Sequence, residues 1–466
     1  MTAPQRGAVA TRDAIVAGET TALAECEAAI ARIEAANPAL NAVIVKRYDE
    51  ARAEARAADQ ALANGQRLPL HGVPMTIKES FQLAGTPATW GFTEHAGNIA
   101  ATDGSTVRRL KAAGAIILGK TNVPVGLADV QSVNPIYGRT VNPHDPSRTS
   151  GGSSGGAAAA LASGMVPLEL GTDIGGSIRT PAHFCGVFGH KPTYGVIPLD
   201  GHPFPGTDGA DRPLSVAGPM AREARDLAAA LDVVTADPLP RPRWEGLAGR
   251  RLLLVTEHPL APLMGAIRDG LEESAARAEA AGAIVLREHP GLPDLAALTT
   301  AYMLMLNMIV SNGGPAPDGH KPTVEQWFAL CDAQARYERQ MAALFEDIDA
   351  ILMPVHGTTA FPHDDEPDLR QRKLIIDGQE TRFAAQFGWI ALATFCGLPA
   401  TSAPIGWHEG LPFGMQVVAA RGRDHEAIGL AEVLRRSIIS EMAVRVPAPP
   451  PDSDKSIPGP SIRLAQ

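Results

Sequence analysis

GGSSGGAAAALASGMVPLELGTDIGGSIRTPAHFCGVFGHKPTYG, residues 151–195, decides how the rest of the chain is read. Its middle, Gly155 to Ser163, is almost entirely Gly, Ala and Leu, which predicts a helix of small residues able to pack closely against a neighbour. An apolar run from Val166 to Leu170 then predicts a strand. Directly after it comes TDIGGSIR, residues 172–179, where Gly175-Gly176 lets bare backbone N–H groups turn toward one point, a geometry suited to an anionic oxygen. A plain glycine turn is the other reading of the same pair.

Working outward, LPLHGVPMTIKES (68–80) clusters Val73, Met75, Thr76 and Ile77 and predicts a buried strand that delivers Lys78. Desolvation at such a place disfavours the charged ammonium; a lysine that snorkels to solvent is the alternative. Upstream, apolar spacing from Thr11 to Asn37 predicts one amphipathic helix ended by Asn37-Pro38, and Tyr48 to Ala63 a second, stopped by Asn64-Gly65. Gly104 to Ala113 reads as a helix and Ala115 to Leu118 as a short strand, so strands and helices alternate and an α/β sheet follows. Residues 138–154 read as loop. The stretch from Leu227 to Asp377 reads as helical cover, with helices near 264–281, 298–311 and 323–346 and a strand at Ile351–Met353. From Val446 onward, Pro-rich composition predicts a mobile tail without a catalytic role.

Three familiar patterns fail on context. GAIILGKT (114–121) fits GxxxxGK[ST], but its variable positions, Ala115 to Leu118, form an ideal buried strand, and Pro124 stands where the helix should begin. GGSSGG satisfies GxSxG on both Ser153 and Ser154, yet a nucleophile elbow needs a strand directly before the serine, and NPHDPSRTS is loop. His183, Cys185 and His190 lack a fourth ligand at a recognised spacing, so a metal site is not assigned.

Composition narrows the partners. Lys+Arg 41 against Asp+Glu 51 gives a net charge of −10, so no cationic surplus exists for nucleic acid or an anionic membrane. The four cysteines, Cys26, Cys185, Cys331 and Cys396, form no CxxC pair, which argues against a disulfide framework and fits a reducing cytoplasm. MTAPQRGAVATRD lacks the apolar core of a secretory signal, and no run approaches a membrane span, so a cytoplasmic protein is expected.

Lys78 in GVPMTIKES, Ser153 in SGGSSGG and Ser177 in ELGTDIGGSIRTP each remain ambiguous alone. Together, 75 and then 24 residues apart in sequence, they closely resemble the amidase signature family of serine hydrolases. HGVPMTIKES, LGKTNVP, NPHDPSRTSGGSSGG, AGPMARE (217–223) and GLPATSAPIGWHEGLPFGMQV (397–417) extend that resemblance over roughly residues 15–435. It implies one large α/β domain over residues 1–445, with a central mixed sheet covered by helices on both faces. Within it would lie a catalytic core at about 70–220, a variable pocket region at about 225–390 and a C-terminal core block at about 391–435.

Carried over residue by residue, the resemblance makes Ser177 the nucleophile, Ser153, on a cis peptide after Gly152, the proton relay, and Lys78 the base. Ser154 is implied as a supporting hydrogen bonder. The backbone amides of Ile174, Gly175, Gly176 and Ser177 are implied as the oxyanion hole, with Asp173 and Arg179 as structural partners. An amidase results, with no metal or organic cofactor, cleaving amides and, by chemical adjacency, esters or carbamates. A small-molecule amide substrate and a monomer or homodimer are expected. Tyr302, Met303, Met305, Met308, Phe387 and Trp389 suggest an apolar or aromatic neutral substrate, unless they are simply core. The alternative is the glutaminase subunit of a tRNA-dependent amidotransferase, from which residues 196–220, rich in Pro and Gly, depart.

Overall fold

Ile116 and Leu118 belong to one apolar core while Ile117, between them, belongs to another. That alternation means the strand is covered on both faces, the usual state of a strand in a sheet between helices. A computed structural model describes residues 5–315, 319 and 321–442 and places this strand inside an eleven-stranded mixed sheet. The expected tail from Val446 lies outside the described residues.

In spatial order the sheet runs β1 (Val43–Lys46), β3 (Ile116–Thr121), β2 (Pro74–Lys78), β6 (Leu168–Asp173), β8 (Val216–Ala221) and β7 (Phe188–Lys191). It continues through β14 (Ala400–His408), β15 (Leu411–Ala419), β11 (Ala350–Pro354), β9 (Arg251–Leu254) and β10 (Ile284–Leu286). Two ribbons, β4 (Val133–Asn134) with β5 (Gly138–Arg139) and β12 (Lys373–Ile376) with β13 (Gln379–Arg382), stand apart from it. β2 runs parallel to both β3 and β6, so the three carry their chains toward the same edge.

The helices are α1 (Ala8–Val16), α2 (Ala22–Leu40), α3 (Tyr48–Ala63), α4 (Ser105–Ala112), α5 (Gly155–Ala162) and α6 (Arg179–Cys185). After them come α7 (Ala224–Val234), α8 (Gly265–Ala280), α9 (Leu295–Val310), α10 (Val324–Asp347), α11 (Phe387–Phe395) and α12 (Asp424–Met442). On one face α2, α3 and α5 bury Cys26, Ile33 and Ala157–Leu161 against Ile116 and Leu118. On the other, Met75, Ile77, Ile117, Leu168 and Leu170 share one core with residues of α4 and of α7 to α11. α5 can lie this close because Gly156 has no side chain: a Cβ there would meet the backbone of Asn122 and Ala42. Among the described residues no helix is long and apolar enough to cross a membrane.

Three elements differ from the sequence reading. The helix expected over Thr11–Asn37 is two, because Gly18 takes a φ of +75° and Thr21 starts a new helix by accepting a hydrogen bond from the Ala24 amide at 3.0 Å. Asn37-Pro38 does not end the second, which runs to Leu40 and stops at Asn41 in the left-handed region. The stretch 227–377 is more than helical cover: beside the expected strand at Ile351–Met353, now β11, β9 and β10 join the main sheet, and runs of three or four residues were too short to declare themselves. Finally, β6 passes Leu170 and reaches Asp173, because Gly171 and Thr172 pair with Gly218 and Ala217 of β8.

Candidate active site

Lys78 ends β2, fully buried, at the edge where the parallel strands β2 and β6 release their chains. Open crevices in α/β sheets form at such carboxyl ends. Its Nζ donates to Ser153 Oγ at 2.7 Å and to Thr172 Oγ1 at 2.8 Å. Both partners are hydroxyls, so no carboxylate offsets the loss of water directly. Burial therefore pushes the lysine down to about 7, against weaker upward pulls from Asp173 and Glu169. Glu169 sits beside Thr76 in the β2–β6 register and is itself pushed up to about 8 by burial.

Ser153 reaches this lysine from one loop, and Ser177 borders the same cavity as Ser153 from another. Ser153 precedes α5, and the Gly152-Ser153 peptide is cis. Ser177 lies on the loop between β6 and α6 and is 6% exposed. The loops are tied together by the Ser154 amide, which donates to the Ser177 carbonyl at 3.1 Å. Among the described residues Ser154 Oγ makes only long contacts of 3.4 Å, to the Thr172 carbonyl and from the Thr172 amide.

Asp173 and Arg179 shape the loop from beneath. Both side chains are fully buried, and the guanidinium donates from Nε to Asp173 Oδ2 at 3.1 Å and from Nη2 to Oδ1 at 3.0 Å. The rest of the fork reaches Gln416 Oε1 at 2.9 Å and Thr394 Oγ1 at 2.7 Å, fastening the loop to β15 and α11. Asp173 also accepts from the amides of Gly176 (2.9 Å) and Ile178 (3.1 Å); burial pushes its carboxyl up, but the charge and hydrogen bonds of Arg179, with Lys191 and the Ile178 amide, together hold it below the usual range. Gly176 holds a φ of +87°, where a side chain would be strained. Its amide is thus engaged by Asp173, while no such bond takes the amides of Ile174, Gly175 and Ser177 among the described residues.

Sequence reasoning missed two contributors. Thr172, the second partner of Lys78, sits inside the quoted TDIGGS motif, and its place beside Asp173 is the signal that could single it out. Tyr302, expected at the pocket, is instead buried, and its hydroxyl donates to the Ile174 carbonyl at 2.8 Å, bracing the loop from α9. Met305 and Trp389 are likewise core, whereas Met303, Met308 and Phe387 line open space as expected.

Two cavities meet at Ser177. The larger, about 860 Å³, lies beside α9 and α10 and is walled by Val130, Met303, Leu306, Met308, Leu330 and Phe387. The smaller, about 50 Å³, is lined by Ser153, Thr172, Trp90, His202, Phe204 and Arg212. Away from both, His183 is locked by the Gly414 amide at 2.9 Å and the Thr358 carbonyl at 2.9 Å, and His190 contacts Thr401 and Asp424. Cys185 Sγ donates to the Ser150 carbonyl at 3.3 Å. Among the described residues no group of three or more His, Cys, Asp or Glu could hold a metal ion.

Known proteins match the chain along most of its length. The amidase family model matches residues 25–247 and 317–428. An indoleacetamide hydrolase of Bradyrhizobium diazoefficiens is 34% identical, over 92% of this chain and 86% of its own. The structure of a bacterial aryl acylamidase of the amidase signature family superposes with a TM-score of 0.78 at 25% identity, covering 93% of this chain and 96% of that one. A glutamyl-tRNA(Gln) amidotransferase component of Chloroflexus aggregans is 31% identical, over 88% of this chain and 91% of its own. The chain therefore belongs to the amidase signature family, and it is an enzyme that hydrolyses amides.

Proposed function

We propose that hydrolysis runs through an acyl-enzyme on Ser177, with Lys78 as base and Ser153 as relay. The observation that carries this is the buried Lys78 Nζ, 2.7 Å from Ser153 Oγ, which shares a cavity with Ser177. An alcohol with a pKa near 16 attacks an amide only as a base removes its proton. Neutral Lys78 takes that proton through Ser153. The carbonyl carbon becomes tetrahedral, and its oxyanion is held by the Ile174–Ser177 loop amides; Gly176, shared with Asp173, serves chiefly to fix the loop. Each such donor is worth about 3–4 kcal/mol in comparable sites. The proton on Lys78 then returns through Ser153 to the departing nitrogen, the C–N bond breaks, and water hydrolyses the ester.

The larger cavity's apolar walls support an apolar or aromatic neutral substrate, and a relative named for indoleacetamide agrees with that choice. Esters and carbamates present the same carbonyl to Ser177 and belong to the same reading. One sheet drawing strands from the first, middle and last parts of the chain supports taking residues 1–445 as one catalytic domain. The test is a sulfonyl or fluorophosphonate probe followed by mass spectrometry. Labelling of Ser177, lost in Ser177→Ala together with amide hydrolysis, is the expected result; labelling of Ser153 or Ser154 instead overturns the assignment.

A further inference from the structure

Ser177 borders both cavities, but Ser153 borders only the small one. This asymmetry fixes how a substrate lies, provided the Ser177–Ser153–Lys78 reading above holds. The group that leaves must receive the proton that Ser153 hands over, so the scissile nitrogen faces the small cavity. The acyl carbon bonded to Ser177 then directs its substituent the other way, into the larger cavity beside α9.

The sizes are very unequal. A cavity needs roughly 10–15 Å³ by this measure to hold one water, so about 50 Å³ accepts ammonia and a few waters, not a butyl or phenyl group. Its walls are braced: Trp90 lies 4.5 Å from the His202 ring and 5.3 Å from the Phe204 ring, centroid to centroid. Arg212 caps it, its guanidinium 3.9 Å over the Phe204 ring and its Nη1 donating to the Ile309 carbonyl at 2.6 Å. A fixed cation there also opposes a cationic amine. His202, its Nε2 2.8 Å from Ser80 Oγ, is held neutral by burial and adds no anion to attract one.

We infer that this chain is an amidase for primary amides of apolar carboxylic acids, binding the acyl group in the cavity beside α9 and releasing ammonia beside Ser153. The balance is complete without a co-reactant other than water. Ser177 Oγ bonds the acyl carbon as the C–N bond breaks, and the Ser177 proton, passed through Ser153 and Lys78, converts the NH2 group to ammonia. Water then gives its hydroxyl to the acyl carbon and a proton back to Ser177, so amide plus water becomes acid plus ammonia.

The experiment is a two-way substrate panel on the intact chain, read as kcat/KM from acid release. With the acyl group fixed as 3-phenylpropanoyl, the amine varies through ammonia, methylamine, butylamine, aniline and glycine. With ammonia fixed, the acyl group varies from acetyl through hexanoyl to 3-phenylpropanoyl. One well-placed methylene changes kcat/KM by about 10–200-fold, so a fall of at least ~100-fold from the primary to the N-butyl amide is expected, and a rise of similar size from acetamide to 3-phenylpropanamide. Phe204→Ala, which widens the small cavity, should raise the N-butyl to primary ratio at least ~10-fold on the same reasoning. Met308→Trp should lower the 3-phenylpropanamide to acetamide ratio.

The N-butyl amide or the anilide of 3-phenylpropanoic acid cleaved as well as the primary amide, or acetamide cleaved better than 3-phenylpropanamide, would overturn the inference. So would the glycine conjugate cleaved as well as the primary amide, since Arg212 would then be a carboxylate site. Both ratios unmoved by the two variants would also overturn it. In each of those cases Ser177 is still labelled and the proposed mechanism stands. No cleavage of any amide, with Ser177 unlabelled, overturns the mechanism and the inference together.

Discussion

Replacing Lys78 tests the chemistry most directly. Burial lowers this lysine from 10.5 to about 7, so at pH 8 about 90% of it is the neutral base, where an unshifted lysine would offer about 0.3%. The buried position thus supplies roughly 300-fold more base at that pH, before any benefit of its 2.7 Å contact with Ser153. Because the shift is downward, the base form is lost as pH falls through about 7, and kcat/KM should show an acidic limb with its midpoint there. Lys78→Ala removes both roles, and Lys78→Met, close in length, removes them while keeping the space filled.

Activated esters need only the first role, deprotonation of Ser177, because their leaving groups depart without a proton. Amides need both. One acid–base role is worth about 10²–10⁴-fold, so each variant should lose that much more activity on an amide than on a p-nitrophenyl ester of the same acyl group. The assay is kcat/KM on the matched pair from pH 5.5 to 9, with folding checked by circular dichroism. Equal losses on both substrates would refute the dual role. Near-normal amide hydrolysis in Lys78→Met would make Lys78 a structural cation and move the base elsewhere.

Other outcomes follow from the same geometry. Arg179→Met leaves the buried Asp173 carboxylate without its cation and strips partners from Gln416 and Thr394, so urea unfolding should show a loss of about 3–5 kcal/mol. Tyr302→Phe deletes the 2.8 Å bond to the Ile174 carbonyl and should lower stability by about 1 kcal/mol while lowering kcat more than it raises KM, a split read from steady-state kinetics. Prolonged dialysis against EDTA should leave amide hydrolysis unchanged; a loss restored by added zinc would contradict the proposed mechanism. The purified chain should cleave apolar amides by itself, and release of ammonia from glutamine only when a second protein is added would instead favour the amidotransferase reading.

Local sequence carried much of this. Small-residue runs, capped helices and apolar strands are short-range patterns, so α3 appears where Tyr48 to Ala63 placed it, and β2 delivers Lys78 to a buried end. The trio Lys78, Ser153 and Ser177 was legible through the resemblance of their motifs to the amidase signature family, because each residue alone stayed ambiguous. Context also disposed of GAIILGKT: Lys120 and Thr121 lie in β3, their backbone facing β1 and β2 rather than a phosphate.

Only the tertiary structure decided what depends on meetings between distant segments. The depressed pKa of Lys78 comes from three-dimensional burial, and no periodicity in GVPMTIKES announces its hydroxyl partner Thr172, 94 residues away. Tyr302 and Met303 are neighbours in one apolar helix, yet one braces the Ile174 loop and the other faces the cavity, because helical residues 100° apart meet different surroundings. β9 and β10, at the far edge of the sheet, were hidden because three or four apolar residues carry too little pattern until partner strands supply their hydrogen bonds. The unequal cavities on either side of Ser177 belong to this second kind too: volume is a property of the space between segments, and a linear sequence specifies it only through the packing it produces.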